Sequence, residues 1–159
     1  MKEAIGGSWL LLIVILFVIL FAGFMSLSIN WSKCYKVKDN IIFLIEKHHG
    51  MNTGTLSEIN EYLSDVGYRS VGECPKDGNC WYPFNYANTN RSSTPANFCV
   101  RKHMVSATAL GHPVKAYYTV RVFFRLDLPV ISQLVRLNID GETGVISAVS
   151  DDLIKKISC

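Results

Sequence analysis

The sequence predicts an α+β chain: a long N-terminal transmembrane-amphipathic helix, a short second helix and a small antiparallel β-sheet of three to four strands. Three observations carry this. Residues 9–25 hold no charged or strongly polar side chain, helical spacing of apolar residues continues beyond them, and after residue 97 the spacing changes to a period of two. The composition agrees, because 49% hydrophobic and 18% charged in 159 residues excludes a disordered acidic or basic tail. Sixteen Lys and Arg against thirteen Asp and Glu leave a net charge of +3, far from the dense basic field that phosphate-backbone binding needs, so no nucleic-acid partner is expected.

Residues 1–8 read as a short N-terminal tail and residues 9–29 as a transmembrane helix. At about 1.5 Å per residue, about 20 residues match a hydrocarbon core about 30 Å thick, and Trp9 and Trp31 fall near its two edges. A soluble core helix rarely stays apolar on every face for so long. A cleaved secretory signal is the rival, with Ser26-Leu27-Ser28 as a small-x-small site. The apolar run exceeds the roughly 7–15 residues of a signal core, and helical spacing continues past it, so an uncleaved anchor is preferred. Orientation is contested. Lys33, Lys36 and Lys38 follow the span while only Lys2 precedes it, which favours a cytoplasmic C-terminal part. Cys74, Cys80, Cys99 and Cys159 form an even set that suits disulfides outside the reducing cytosol. The expectation is a single-pass protein of the cell membrane with its C-terminal domain extracytoplasmic.

Residues 30–50 extend the same helix in amphipathic form. Cys34, Val37, Ile41, Leu44 or Ile45, and His48 share one face, with Lys33, Lys36, Asp39, Asn40 and Lys47 around the rest. Gly50 is the natural stop, and His48-His49 suit the helix dipole rather than a metal. Residues 51–159 form a small α+β domain. Its helix is signalled by Thr55-Leu56-Ser57-Glu58 as a capping box, buries Ile59, Tyr62, Leu63 and Val66, and ends at Gly67. Residues 71–97 turn to Gly, Pro, Asn, Ser and Thr and read as a surface loop stapled by cysteine.

Strands follow. Phe98, Val100 and Met104 give the first, and residues 118–128 alternate strictly as a long second limited by Pro129. Ile131 to Ile139 alternate again, Asp140-Gly141-Glu142-Thr143-Gly144 reads as a turn, and residues 145–149 as a last strand. One sheet face is expected to pack on the amphipathic half of the long helix.

No catalytic motif stands out. There is no G-x-S-x-G elbow, phosphate-cradling glycine loop or H-E-x-x-H, so no enzyme, cofactor or small-molecule substrate is expected. A catalytic set could still assemble from His103, His112 and the serines, and an enzyme of this sequence would be sensitive at a polar residue such as His103. Zinc is not favoured, since Cys74 and Cys80 are too widely spaced for a knuckle and no second close pair exists. Four cysteines allow three disulfide pairings, and spacing does not choose among them. Trp81, Tyr82, Phe84 and Tyr86 offer a possible aromatic ligand surface, against the blander reading that they pack over a disulfide. Arg121 and Arg125 flank Phe123 on one strand face, which reads as solvated.

The order of parts suggests a family. Gly6-Gly7-Ser8-Trp9 before the apolar run, Asn30 to Asp39 with Ile45-Glu46-Lys47 in the helix, and the late stretch from Tyr118-Thr119-Val120 through Pro129 to Gly141-Glu142-Thr143-Gly144 carry the likeness. In layout the chain resembles the pilin-like and pseudopilin proteins of type IV filament systems, nearest the TadE-like minor pilins of tight-adherence pili. The resemblance implies a non-catalytic minor pilin or assembly factor whose partners are the membrane and other pilin-like subunits. It departs from peptidase-processed pilins, because cutting after Gly7 would put Leu12 where they carry Glu. Glu3 would then make the acidic contact to a neighbouring subunit's amino terminus, in an uncleaved subunit. Ala22 and Gly23 are small enough for close helix packing. The competing class is an anchored extracellular module that binds a ligand or partner through the loop around Trp81.

Overall fold

The computed structural model describes residues 2–76, 81–86, 95–106, 115–125, 136–147 and 153–154, with backbone alone at residues 2–6, 106, 125 and 136. The first helix, α1, runs without a break from Lys2 to Lys47. Its start lies in the stretch expected as a tail: from Lys2 the backbone is already helical, since nothing in Glu3 to Ser8 forces a break and helix extension needs only one hydrogen bond per added residue. About 70 Å of helix results.

The two halves of α1 differ as the sequence predicts. Residues 9–22 are exposed all round, whereas Cys34, Val37, Ile41, Leu44 and Ile45 are buried in one stripe. The helix ends in a Schellman motif: Gly50 N–H reaches Ile45 C=O at 3.0 Å and His49 N–H reaches Glu46 C=O at 3.2 Å. Here His49, with φ 53°, takes the left-handed position, and Gly50 follows it.

Helix α2 spans Thr53–Asp65 and starts earlier than its expected capping box. Asn52 is the cap, with Oδ1 accepting from the Thr55 backbone N–H at 2.8 Å. Thr55 is inside the helix and buried, donating its hydroxyl to Gly50 C=O at 2.9 Å. Glu58 does not reach back to a cap; it turns to α1, 2.9 Å from Lys47 Nζ and 3.0 Å from His48 Nε2. An Asn supplies the better cap here because its short side chain reaches the first-turn amides while Thr55 is needed in the core. Ile59 and Leu63 are buried as expected, Tyr62 only partly, and Val66 is 40% exposed. Gly67 terminates the helix at φ 65°.

The sheet is antiparallel in the order β1-β2-β3-β4, with β5 also on β3: β1 Trp81–Phe84, β2 Phe98–Ser106, β3 Lys115–Arg125, β4 Arg136–Glu142 and β5 Ile146–Ser147. Two features differ from expectation. The stretch expected as surface loop contributes β1, paired with β2 from Trp81↔Arg101 to Phe84↔Phe98, and a bridge between Gly72 and Ala96. Trp81-Tyr82-Pro83-Phe84 is a short aromatic-rich run of strand composition, which its turn-rich surroundings obscure.

The expected turn at residues 140–144 is not a hairpin. Asp140 to Glu142 pair with Arg121 to Thr119, and Ile146 and Ser147 pair with Ala116 and Lys115, so β4 and β5 are one edge strand interrupted by a bulge. Thr143 completes the bulge: its N–H donates to Tyr118 C=O at 2.9 Å, and its hydroxyl accepts from Tyr118 N–H at 2.9 Å, doing the work of a strand carbonyl. Glu46 of α1 accepts from Gly144 N–H at 2.7 Å and fastens the bulge to the helix.

One sheet face, with Phe84, Phe98, Val100, Tyr118, Val120, Val122, Phe124 and Ile139, packs on the α1 stripe and on Ile59 and Leu63 of α2. Leu153 and Ile154 close this core. The opposite face carries a smaller cluster of Ala96, Cys99 and Phe123 with Cys74 and Trp81 against it. The segment through Gly72 and Cys74 therefore straps the face expected to be solvated, and Phe123 is only 7% exposed.

Candidate functional site

Three places hold the residues singled out from sequence. The first is the uncovered half of α1. Among the described residues it is the one helix long and apolar enough to cross a membrane, and none of its most apolar window is buried by the rest of the protein. Phe24 is 66% exposed, and Leu27 packs, partly buried, against the main core. Ala22 and Gly23 lie just before that point. A Cβ added at Gly23 would meet nothing within 4 Å, so the helix has a free notch there. Glu3 falls in the first turn of α1, and its side chain lies outside the described residues.

The second place is the cysteine and aromatic region. Cys74 and Cys99 are disulfide-bonded, with Cα atoms 5.8 Å apart, and tie the strap to β2. Cys80 and Cys159 lie outside the described residues. Cys34 is free and buried, and burial pushes its thiol up to about 11 despite Lys38 nearby. The four aromatics do not make one ledge. Strand alternation sends Tyr82 and Phe84 to the main core, with Tyr86 against it, and sends Trp81 to the strapped face beside the disulfide. There Arg121 lies over the Trp81 ring at 4.9 Å and grips Asp140 through two bonds of 2.6 Å.

His103 sits further along this face. Its ring stacks on Tyr117 with centroids 4.5 Å apart, and Nε2 is 3.0 Å from Thr119 Oγ1. The same Thr119 hydroxyl donates to Glu142 Oε1 at 3.4 Å. Partial burial, then the charge of Arg101, holds His103 below the ordinary imidazole range, against the opposing pull of Glu142. Among the described residues no group of three His, Cys, Asp or Glu side chains is placed to hold a metal ion.

The third place was not legible in the sequence. An open cleft of about 400 Å³ lies where α1 leaves its apolar run, between Asn30, Lys33 and Cys34 on α1, residues 66–70 after α2, and Phe124 of β3. Its floor is neutral. Tyr68 donates its hydroxyl to Phe123 C=O, and burial pushes that phenol far up. Lys33 just past the apolar run was a visible signal, but Arg69 reaches the same cleft only through the fold.

Comparison with known proteins adds no name to this geometry: no family model matches the chain, and neither the curated proteins nor the solved structures contain a match.

Proposed function

We propose that this chain is a single-pass, membrane-anchored, pilin-like subunit, a minor pilin or assembly factor of a tight-adherence-type filament system, acting by packing and without catalysis. The observation that carries the reading is the division of α1. One unbroken helix is both the spine of a small antiparallel-sheet domain and, over residues 9–22, a bare apolar rod. Lipid can cover such a rod in the membrane, and neighbouring helices can cover it in an assembly, so one surface serves for storage and for packing. The Cys74–Cys99 disulfide supports an extracytoplasmic domain, because such bonds persist in oxidising compartments.

The test compares full-length variants in mild detergent by light scattering. Gly23→Leu or Ala22→Leu is expected to remove self-association or co-purification with filament subunits, while Trp81→Ala leaves both intact. The reverse ranking would favour the anchored binding module. Splitting of the aromatics between two faces leaves Trp81 as that module's main contact.

A further inference from the structure

We propose that the cleft at the foot of the domain binds the phosphate of an anionic phospholipid headgroup, held between Lys33 and Arg69. The inference rests on the membrane-anchored reading of α1 and adds to it a lipid class and a site.

Depth is the first argument. If the hydrocarbon core ends near Ile29, Asn30 stands about 1.5 Å and Lys33 about 6 Å beyond it along the helix axis. A headgroup layer occupies about 5–8 Å on each side of the core, so this cleft faces phosphates and not acyl chains. Trp31 lies between these two residues, 43% exposed, with its ring against Tyr35 and edge-on to Phe124 at 5.7 Å, the amphipathic anchor expected at that level.

Charge is the second. Lys33 and Arg69 line the cleft, and among the described residues no Asp or Glu does so and neither cation has a carboxylate partner. The remaining polar groups are Asn30 and Ser70, which suit the phosphate and glycerol oxygens, and the neutral Cys34 and Tyr68 add no opposing charge. Shape is the third. An open cleft of about 400 Å³ admits a headgroup from the side while its acyl chains stay beside residues 9–29.

The full-length protein, reconstituted in nanodiscs and released into detergent for native mass spectrometry, would be titrated with phosphatidylglycerol and with phosphatidylcholine of the same chains. Two cations at headgroup depth predict retention of phosphatidylglycerol on the order of thirtyfold over phosphatidylcholine. Lys33→Gln with Arg69→Gln should abolish that preference; both side chains are exposed, so the fold and the disulfide should survive. Lys36→Gln, about 4.5 Å further along the helix and outside the cleft, should leave it unchanged. Equal retention of both lipids by the wild type, or an equal loss on Lys36→Gln, would overturn the site. Displacement of the lipid by glycerol phosphate at matching concentration would assign it to free phosphate and also overturn the proposal. Failure of the protein to enter nanodiscs at all would instead remove the membrane reading on which it rests.

Discussion

Gly72 gives the sharpest test of how the strapped face is built. Its backbone is bridged to Ala96 by bonds of 2.8 and 2.9 Å, which fixes it over β3. A Cβ at this position would lie 2.2 Å from Phe123 Cδ1 and 2.4 Å from Cγ, where carbon atoms settle at about 3.5–4.0 Å. Either the ring or the strap must move by about 1.3–1.8 Å, which is the difference between these separations. Overpacking of that kind costs about 1–3 kcal/mol, offset by the 0.4–1 kcal/mol or so that alanine gains from a less flexible unfolded chain. Gly72→Ala should therefore destabilise by about 1–2 kcal/mol. Once Phe123→Ala has removed the ring, the same change should be neutral or stabilising by about 0.5 kcal/mol, a coupling of about 2 kcal/mol. Urea unfolding of the four full-length proteins, followed by far-ultraviolet circular dichroism, reads this directly. An equal effect of Gly72→Ala in both backgrounds would refute the placement of the strap on Phe123.

Three further outcomes follow from the same structure. Replacing Cys74 and Cys99 by alanine opens a loop with a sequence separation of 25, and chain entropy predicts a loss of about 3.5 kcal/mol; a midpoint unchanged in urea would show that the bond does not form. Cys34, buried and with its thiol pushed up to about 11, should resist maleimide at neutral pH and react only on unfolding, as read by peptide mapping; prompt labelling of the folded protein would place it at the surface. Glu58 is held below its ordinary pKa by its bonds to Lys47 and His48. A depressed folded-state carboxylate contributes stability above its unfolded value of about 4.5 and loses it as pH falls through the folded value, so Glu58→Gln should reduce the acid dependence of stability below that point. Identical acid profiles for variant and wild type would show that the contact to α1 contributes nothing.

The long apolar helix, its amphipathic continuation, the second helix and the antiparallel sheet were determined by the sequence alone. Each rests on a local period: apolar on all faces for residues 9–25, a stripe from Cys34 to Ile45, alternation along β3. Local periods set element type because side-chain direction follows from backbone geometry. Pairing is not local, and there the tertiary structure decided. Whether Asp140 to Gly144 closes a hairpin or forms a bulge depends on β3 continuing alongside as far as Lys115 and on Thr143 supplying a hydroxyl where the strand lacks a carbonyl. The four aromatics from Trp81 to Tyr86 were legible as a cluster, yet strand alternation divided them between two faces once β1 paired with β2. The choice of Cys99 as partner for Cys74 likewise needed the strap to cross the sheet. The cleft at the foot of the domain brings Lys33 and Arg69 together across more than thirty residues of chain. No spacing rule connects such a pair, because the two share a cleft only when α2 folds back against α1 at the level where the helix leaves its apolar run.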